Sequence, residues 1–144
     1  MNTKKCRDVM TENLVFCTPE DTVSKVAQLM KREDIGPVLI VDNERSKKLV
    51  GIVTDRDLAL KVVGEGRDPK TTRVEEVMSR KLVTCHADDD IENALKAMAQ
   101  YQLRRIPVVD ANMSLVGIIS QADVATRVDE PEKTAEVVRE ISQS

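Results

Sequence analysis

Two rhythms of apolar positions run along the chain. Val23, Val26, Ala27 and Met30 fall at i, i+3, i+4 and i+7, which gathers them on one face and predicts a helix over residues 23–32. Asp21 or Thr22 stands where such a helix takes its N-cap. Two β-branched runs follow, residues 38–41 and 49–53. The polar stretch Asn43-Glu44-Arg45-Ser46-Lys47-Lys48 joins them, and the whole reads as a hairpin. A short strand over 14–17, bounded by Pro19, precedes the helix, and a second helix is predicted to start near Asp55.

The same order then returns. Val9-Met10 recurs as Val77-Met78, Leu14-Val15 as Leu82-Val83, and Cys17 as Cys85. Asp21 matches Asp89, Met30 matches Met98, and Val41-Asp42 matches Val109-Asp110, all at the offset that carries residue 9 onto 77. Beyond the polar turn the offset shortens by two: Leu49-Val50-Gly51-Ile52 matches Leu115-Val116-Gly117-Ile118, Asp57 matches Asp123, and Ala59 matches Ala125. A length change inside a hairpin turn is where a fold tolerates one. The second copy therefore has its strand at 82–85, its helix at 91–102 and its closing helix near Gln121.

The predicted architecture is α/β (α+β), with β-α-β-β-α present twice, over residues 6–63 and 74–129. Residues 64–73, with Gly64-Glu65-Gly66-Arg67-Asp68-Pro69, form the break. A unit of roughly 60 residues buries little surface alone, so the two copies are expected to pack through their sheets. In the tail, residues 130–144, Ala135, Val137, Val138 and Ile141 among charged residues predict a short amphipathic helix suited to packing or oligomerisation.

Composition removes several function classes. The 22 basic and 25 acidic residues leave a net charge of −3, and the aromatics are one Phe and one Tyr, with no Trp. That disfavours surfaces that stack bases on aromatic rings, aromatic ammonium cages, and a general DNA-backbone binder. The longest apolar runs, such as Val38-Leu39-Ile40-Val41, fall far short of the ~20 residues that cross a bilayer. Met1-Asn2-Thr3-Lys4-Lys5-Cys6 has no apolar segment behind it, which argues against a secretory leader. Cys6, Cys17 and Cys85 are odd in number, widely spaced and without a C-x-x-C pair, which favours a reducing cytoplasm over a disulfide framework or a zinc site.

Enzyme signatures are missing: the chain has no G-x-S-x-G, phosphate-binding P-loop, G-x-G-x-x-G or H-E-x-x-H. His86 adjoins Cys85, but neighbouring strand residues point to opposite faces, so the two do not make a catalytic pair. Cys17 and Cys85 are expected in the core. The informative segments are Gly51-Ile52-Val53-Thr54-Asp55-Arg56-Asp57 and Gly117-Ile118-Ile119-Ser120-Gln121-Ala122-Asp123. In each, a strand ends in a hydroxyl residue with an Asp three positions on. That spacing makes a capping box. It also places a carboxylate, an acceptor for a ribose diol, beside helix-start N–H groups that suit a phosphate. Arg104-Arg105, at the edge of the apolar strand Ile106-Pro107-Val108-Val109, adds guanidinium groups suited to bidentate phosphate contacts.

The doubled unit, the Ile-Pro-Val-Val-Asp and Gly-Ile-Val-Thr-Asp-Arg-Asp segments and the Val-Met-Thr opening resemble a pair of CBS domains, a Bateman-type module, over nearly the whole chain. The resemblance implies two repeats related by a pseudo-two-fold axis and two clefts between them for adenosyl ligands: AMP, ADP or ATP, with S-adenosylmethionine or NADH as alternatives. In the first, it implies that Asp123 holds the ribose and Ser120 and Ala122 line the ribose-phosphate path. Arg104 and Arg105 would take phosphate, and Thr11, Asn13, Val15, Ile35, Gly36 and Ile118 would enclose the adenine. In the second, Asp57 would hold the ribose beside Thr54 and Arg56, with Ser79, Lys81, Val83, Leu103, Pro37 and Ile52 completing the pocket. Where the second copy has Arg104-Arg105, the first has Gly36-Pro37, so the Asp123 site is expected to be the better phosphate binder.

The expectation is a stand-alone, cytoplasmic, non-catalytic regulatory module. It requires no cofactor or metal, forms a homodimer and signals nucleotide occupancy to an unknown effector protein. A dimerisation scaffold with degenerate sites is the competing reading, and nucleic acid is a disfavoured partner.

Overall fold

A computed structural model describes residues 4–127. In chain order the elements are α1 (Cys6–Val9), β1 (Phe16–Cys17), α2 (Val23–Glu33), β2 (Pro37–Val41), β3 (Leu49–Thr54) and α3 (Asp55–Leu58). The last runs on into a wider π-type turn over Ala59–Val63. A single 3-10 turn, Val74–Glu76, precedes β4 (Cys85–His86), α4 (Ile91–Tyr101), β5 (Arg105–Val109), β6 (Leu115–Ser120) and α5 (Gln121–Arg127). The tail helix predicted over 130–144 lies outside the described residues.

Each half of the pattern builds one three-stranded sheet, β1-β2-β3 or β4-β5-β6. The two-residue edge strand runs parallel to the centre, pairing Phe16 with Leu39 and Cys85 with Val108. A parallel pair needs a crossover, and α2 and α4 supply it. The other two strands form the antiparallel hairpin that the β-branched runs predict, with a register shift at Ile40/Val41 and again at Val108/Val109. An aspartate organises each hairpin turn. Asp42 Oδ1 accepts from the Asn43 and Lys48 N–H groups, and Asp110 Oδ1 accepts from those of Asn112 and Ser114. The fold class is thus mixed α and β, as the pattern predicts.

Helix boundaries follow local chemistry. Thr22 rather than Asp21 is the N-cap of α2, its Oγ1 accepting from the Lys25 N–H at 3.3 Å. Asp21 instead closes the turn before it, accepting from the Thr18 N–H at 2.8 Å. Left-handed residues, Asp34 and Gln102, end α2 and α4. The buried stripe of α2 is Val23, Val26 and Leu29, with Met30 half-buried. Ala27, expected on that face, is exposed. Its counterpart in α4, Leu95, is buried in one core cluster with Cys6 and Val9.

That cluster exposes a feature absent from the sequence reading. The compact units do not coincide with the repeats. One is Val15–Leu82; the other joins the described residues up to Leu14 to those from Val83 onward. The segment leading each repeat is therefore built into the unit of the other. Cys6 and Val9 lie in the β4–β6 core, while Val74 and Val77 lie in the β1–β3 core. The backbone pairing matches at equivalent places: Thr11 exchanges hydrogen bonds with Ile118 at 2.9 and 3.0 Å, and Ser79 with Ile52 at 2.9 and 3.0 Å. Farther back, Cys6 and Val74 donate to the Asp89 and Asp21 carbonyls at 2.9 and 2.8 Å.

Gly51 and Gly117 are what allow the segments to lie this close. A Cβ on Gly51 would stand 2.8 Å from Met78 Sδ and 3.1 Å from the Ser79 carbonyl oxygen. On Gly117 it would stand 2.7 Å from Met10 Cγ and 3.0 Å from Met10 Cβ. Gly117→Ala therefore crowds a well-packed contact and should cost about 1–3 kcal/mol in urea unfolding. Because the clash is with Met10, Met10→Ala should recover part of that loss in the double variant, a departure from additivity. A purely additive pair would place the clash elsewhere.

Candidate functional site

Both Thr/Ser-x-x-Asp motifs fold as capping boxes. At the end of β6, the Ser120 N–H donates to Asp123 Oδ2 at 3.0 Å, and the Asp123 N–H donates to Ser120 Oγ at 3.2 Å. The Ser120 hydroxyl adds a third bond to Asp123 Oδ2 at 3.0 Å. At the end of β3, the Thr54 N–H donates to Asp57 Oδ2 at 2.9 Å, and the Asp57 N–H to Thr54 Oγ1 at 3.2 Å. These boxes satisfy N–H groups that a helix start leaves open. They also fix each carboxylate at the mouth of the strand–helix turn, Asp123 buried and Asp57 half-buried.

In the β4–β6 unit, strand register brings the basic residues to the same place. Arg105 pairs with Ser120 across the hairpin, and the Arg104 carbonyl accepts from the Gln121 N–H at 3.1 Å. Both arginines are exposed, and neither side chain forms an ion pair among the described residues. Thr11 lies against Ile118, two residues before Ser120, and Ala122 is exposed in the first turn of α5. Asn13 belongs to this unit and is exposed. This one unit thus gathers Thr11, Arg104, Arg105, Ile118, Ser120, Ala122 and Asp123. Val15, Ile35 and Gly36, assigned to the same pocket, belong to the β1–β3 unit.

The β1–β3 unit gathers the equivalent set with different charge. Pro37 pairs with Thr54, the Gly36 carbonyl accepts from the Asp55 N–H at 3.0 Å, and Ile52 pairs with Ser79. Ser79 Oγ accepts from the Lys81 N–H at 3.3 Å; the Lys81 and Arg56 side chains are exposed. A Cβ on Gly36 would meet the Asp55 carboxylate at 3.4 Å, so an acid stands here beside the backbone position that carries Arg104 in the other copy. Val83 and Leu103, assigned to this pocket, fall in the β4–β6 unit.

One participant escaped the sequence reading. Lys61 Nζ lies 3.3 Å from Asp57 Oδ1 and donates to the Val77 carbonyl at 2.9 Å. Its position four residues after Asp57 is the standard helical ion-pair spacing and was the available signal. Asp57 therefore has one oxygen on the capping box and the other on a lysine. The three cysteines are buried, while His86 is exposed on the opposite side of its strand from Cys85. Among the described residues no three His, Cys, Asp or Glu side chains are grouped to hold a metal ion, and no helix is long and apolar enough to cross a membrane.

Known proteins share this fold. The CBS domain family matches residues 6–64 and 74–130. The CBS domain-containing protein YhcV of Bacillus subtilis is 38% identical over 136 residues, which is 94% of this chain and 94% of its own. Among solved structures, hypoxic response protein I with two coordinated zinc ions aligns at 31% identity and a TM-score of 0.75, over 87% of this chain and 99% of its own. The CBS domain pair of protein MJ0100, in complex with 5′-methylthioadenosine and S-adenosyl-L-methionine, aligns at 26% identity and a TM-score of 0.69. That match covers 86% of this chain and 94% of the other. The cytosolic domain of the Mg2+ channel MgtE in complex with ATP aligns at 33% identity and a TM-score of 0.66, over 80% of this chain but 45% of its own. Matched twice by one family, and along nearly its whole length by a relative, the chain belongs to the CBS domain family as a tandem pair.

Proposed function

We propose that this CBS pair is a non-catalytic regulatory module that binds an adenine nucleotide, AMP, ADP or ATP, and reports occupancy to a partner protein. The observation that carries the reading is the β4–β6 cluster, where a boxed carboxylate, Asp123, stands at the same strand–helix turn as two arginines that form no ion pair among the described residues. A ribose diol needs an acceptor, which Asp123 supplies; phosphate needs fixed cations, which Arg104 and Arg105 supply. Backbone groups near Thr11 and Ile118 would hold the base. Relatives whose solved structures contain ATP or S-adenosyl-L-methionine support an adenosyl ligand in general.

Charge argues for unequal sites. Around Asp57 the carboxylate is already neutralised by Lys61, no arginine occupies positions 36–37, and Asp55 adds a negative group there. Phosphate should favour the Asp123 cluster. Occupancy can act on a homodimer or an effector only through different ligand affinities of two conformations, so the nucleotide must favour one of them. A scaffold that binds nothing is the second reading, and the engagement of both aspartates in capping boxes is what favours it.

Calorimetric titration with AMP, ADP, ATP, S-adenosylmethionine and NADH separates the two. Micromolar binding of an adenine nucleotide is expected. Replacing both arginines by alanine should weaken it roughly tenfold to a hundredfold, the scale of one or two lost charge-assisted bonds. Asp123→Asn retains an acceptor for the capping box and should weaken binding without a large loss of thermal stability, whereas Asp57→Asn should leave the tighter site unchanged. Silence across the whole panel with nucleotide-free protein supports the scaffold. Tight S-adenosylmethionine or NADH binding with no nucleotide binding would replace the proposed ligand.

A further inference from the structure

The residue that follows the strand-end hydroxyl occupies one place in both copies. The Asp55 and Gln121 N–H groups donate to the Gly36 and Arg104 carbonyls at 3.0 and 3.1 Å. The residues before them pair across their hairpins, Thr54 with Pro37 and Ser120 with Arg105. The side chains at that place differ in chemistry. Asp55 is exposed, its carboxylate lies beside Gly36, and its Oδ1 accepts from the Arg56 N–H at 2.9 Å. Gln121 is half-buried, and its amide nitrogen Nε2 is fully covered, with no hydrogen-bond partner among the described residues. No other buried side-chain nitrogen or oxygen among the described residues is left unpaired in this way.

A covered donor without an acceptor has given up its hydrogen bond to water and received none in return, which destabilises the chain. Packing does not call for it, because a methionine has the same reach without polar atoms. The backbone does not call for an amide either, since Asp55 makes the same contact with a shorter, acidic side chain. An unmet donor at the turn that also carries Arg104, Arg105 and Asp123 is accounted for by an acceptor from outside the chain.

We propose that Gln121 is a specificity-determining residue of the Asp123 site, whose side-chain amide donates to a phosphate oxygen of the bound nucleotide. This rests on the nucleotide reading above and adds to it the contact that separates a nucleotide from its nucleoside. Asp123, an acceptor, suits the ribose hydroxyls, whereas an amide donor has to meet an acceptor. The backbone of Gln121 is bonded to Arg104, on the phosphate side of the site, and not to Thr11 or Ile118, where the base is assigned. Phosphate oxygens are also the anionic acceptors of a nucleotide, to which a hydrogen bond is strongest. Access needs no opening of the sheet: Gln121 is half-buried, so rotation about its own side-chain bonds carries the amide out to a ligand. In the other copy Asp55 presents a carboxylate at this place, which repels phosphate.

Paired titrations of the full-length protein with AMP and adenosine test this, with adenosine followed by NMR shifts so that weak binding is measurable. Gln121→Met keeps the length of the side chain and removes the donor. It should weaken AMP roughly tenfold, the scale of one hydrogen bond to a charged group, and leave adenosine unchanged. The unliganded variant should melt at or above the wild-type temperature, because an unpaired buried donor is gone. Gln121→Asp, which copies Asp55, should weaken AMP further than methionine does. The proposal is overturned if the wild type binds AMP and both variants bind it equally well, a result that leaves the nucleotide reading standing. Equal weakening of AMP and adenosine also overturns it, since the amide would then serve the fold or the nucleoside. No AMP binding by the wild type removes the nucleotide reading and this proposal together. Should Gln121→Met fold poorly, Gln121→Glu, which keeps the shape and lacks the donor, carries the same comparison of AMP with adenosine.

Discussion

Everything in this fold depends on backbone pairing between a leading segment and the hairpin strand of the opposite repeat. Thr11 closes onto Ile118 and Ser79 onto Ile52, with hydrogen bonds of 2.9 and 3.0 Å in each case. An isolated repeat would leave those strand-edge N–H and C=O groups unpaired and its core open where Cys6 and Val9, or Val74 and Val77, now pack. The constraint explains other residues. Gly51 and Gly117 are side-chain-free because a methionine of the leading segment lies over them. Each exchange is completed by a bridge before the crossover helix, Lys5 with Asp90 and Thr22 with Arg73. Two sequence repeats, neither self-sufficient, become two units only by trading their first ten or so residues.

Much of this was legible in the residues, and the illegible parts have physical causes. The hairpins and crossover helices carry periodicity over enough residues to read. The capping boxes are local, four residues long, and form as their spacing predicts. The leading segments were missed because α1 has four residues and its equivalent is one 3-10 turn, too short for any period to show. Their partners are also about a hundred positions away in one case, as Thr11 and Ile118 illustrate. Ala27 was placed on the buried face from spacing alone. It is exposed, and Leu95 at the same place in the second copy is buried, because identical spacing does not reveal what packs against a helix. At the candidate site, strand register sets Arg104 and Arg105 at the Ser120–Asp123 turn, whereas the Lys61 contact to Asp57 depends on the continuation of α3 through Ala59–Val63.

Duplication also frees one copy to change chemistry while the other keeps the frame. At the strand–helix turn, Arg104, Arg105 and Gln121 in one copy stand where Gly36, Pro37 and Asp55 stand in the other, which inverts the local charge without altering the backbone bonds. At the junction of the leading segment, Cys6 and Cys85 in one copy stand where Val74 and Cys17 stand in the other. The shared features are those the fold requires; the charge difference is where the proposed ligand selectivity would reside.

Amide hydrogen exchange at Thr11 and Ser79, followed by NMR on the unliganded protein, tests the exchanged-segment architecture most directly. Both N–H groups donate across the junction, to Ile118 and Ile52. Protection within about tenfold of that of the central strand amides, such as Val108 and Ile40, is predicted, because the segments open only with the sheets they complete. Exchange of Thr11 and Ser79 at near-unprotected rates while Val108 and Ile40 remain protected would contradict it, showing two self-contained repeats with loosely attached leading segments.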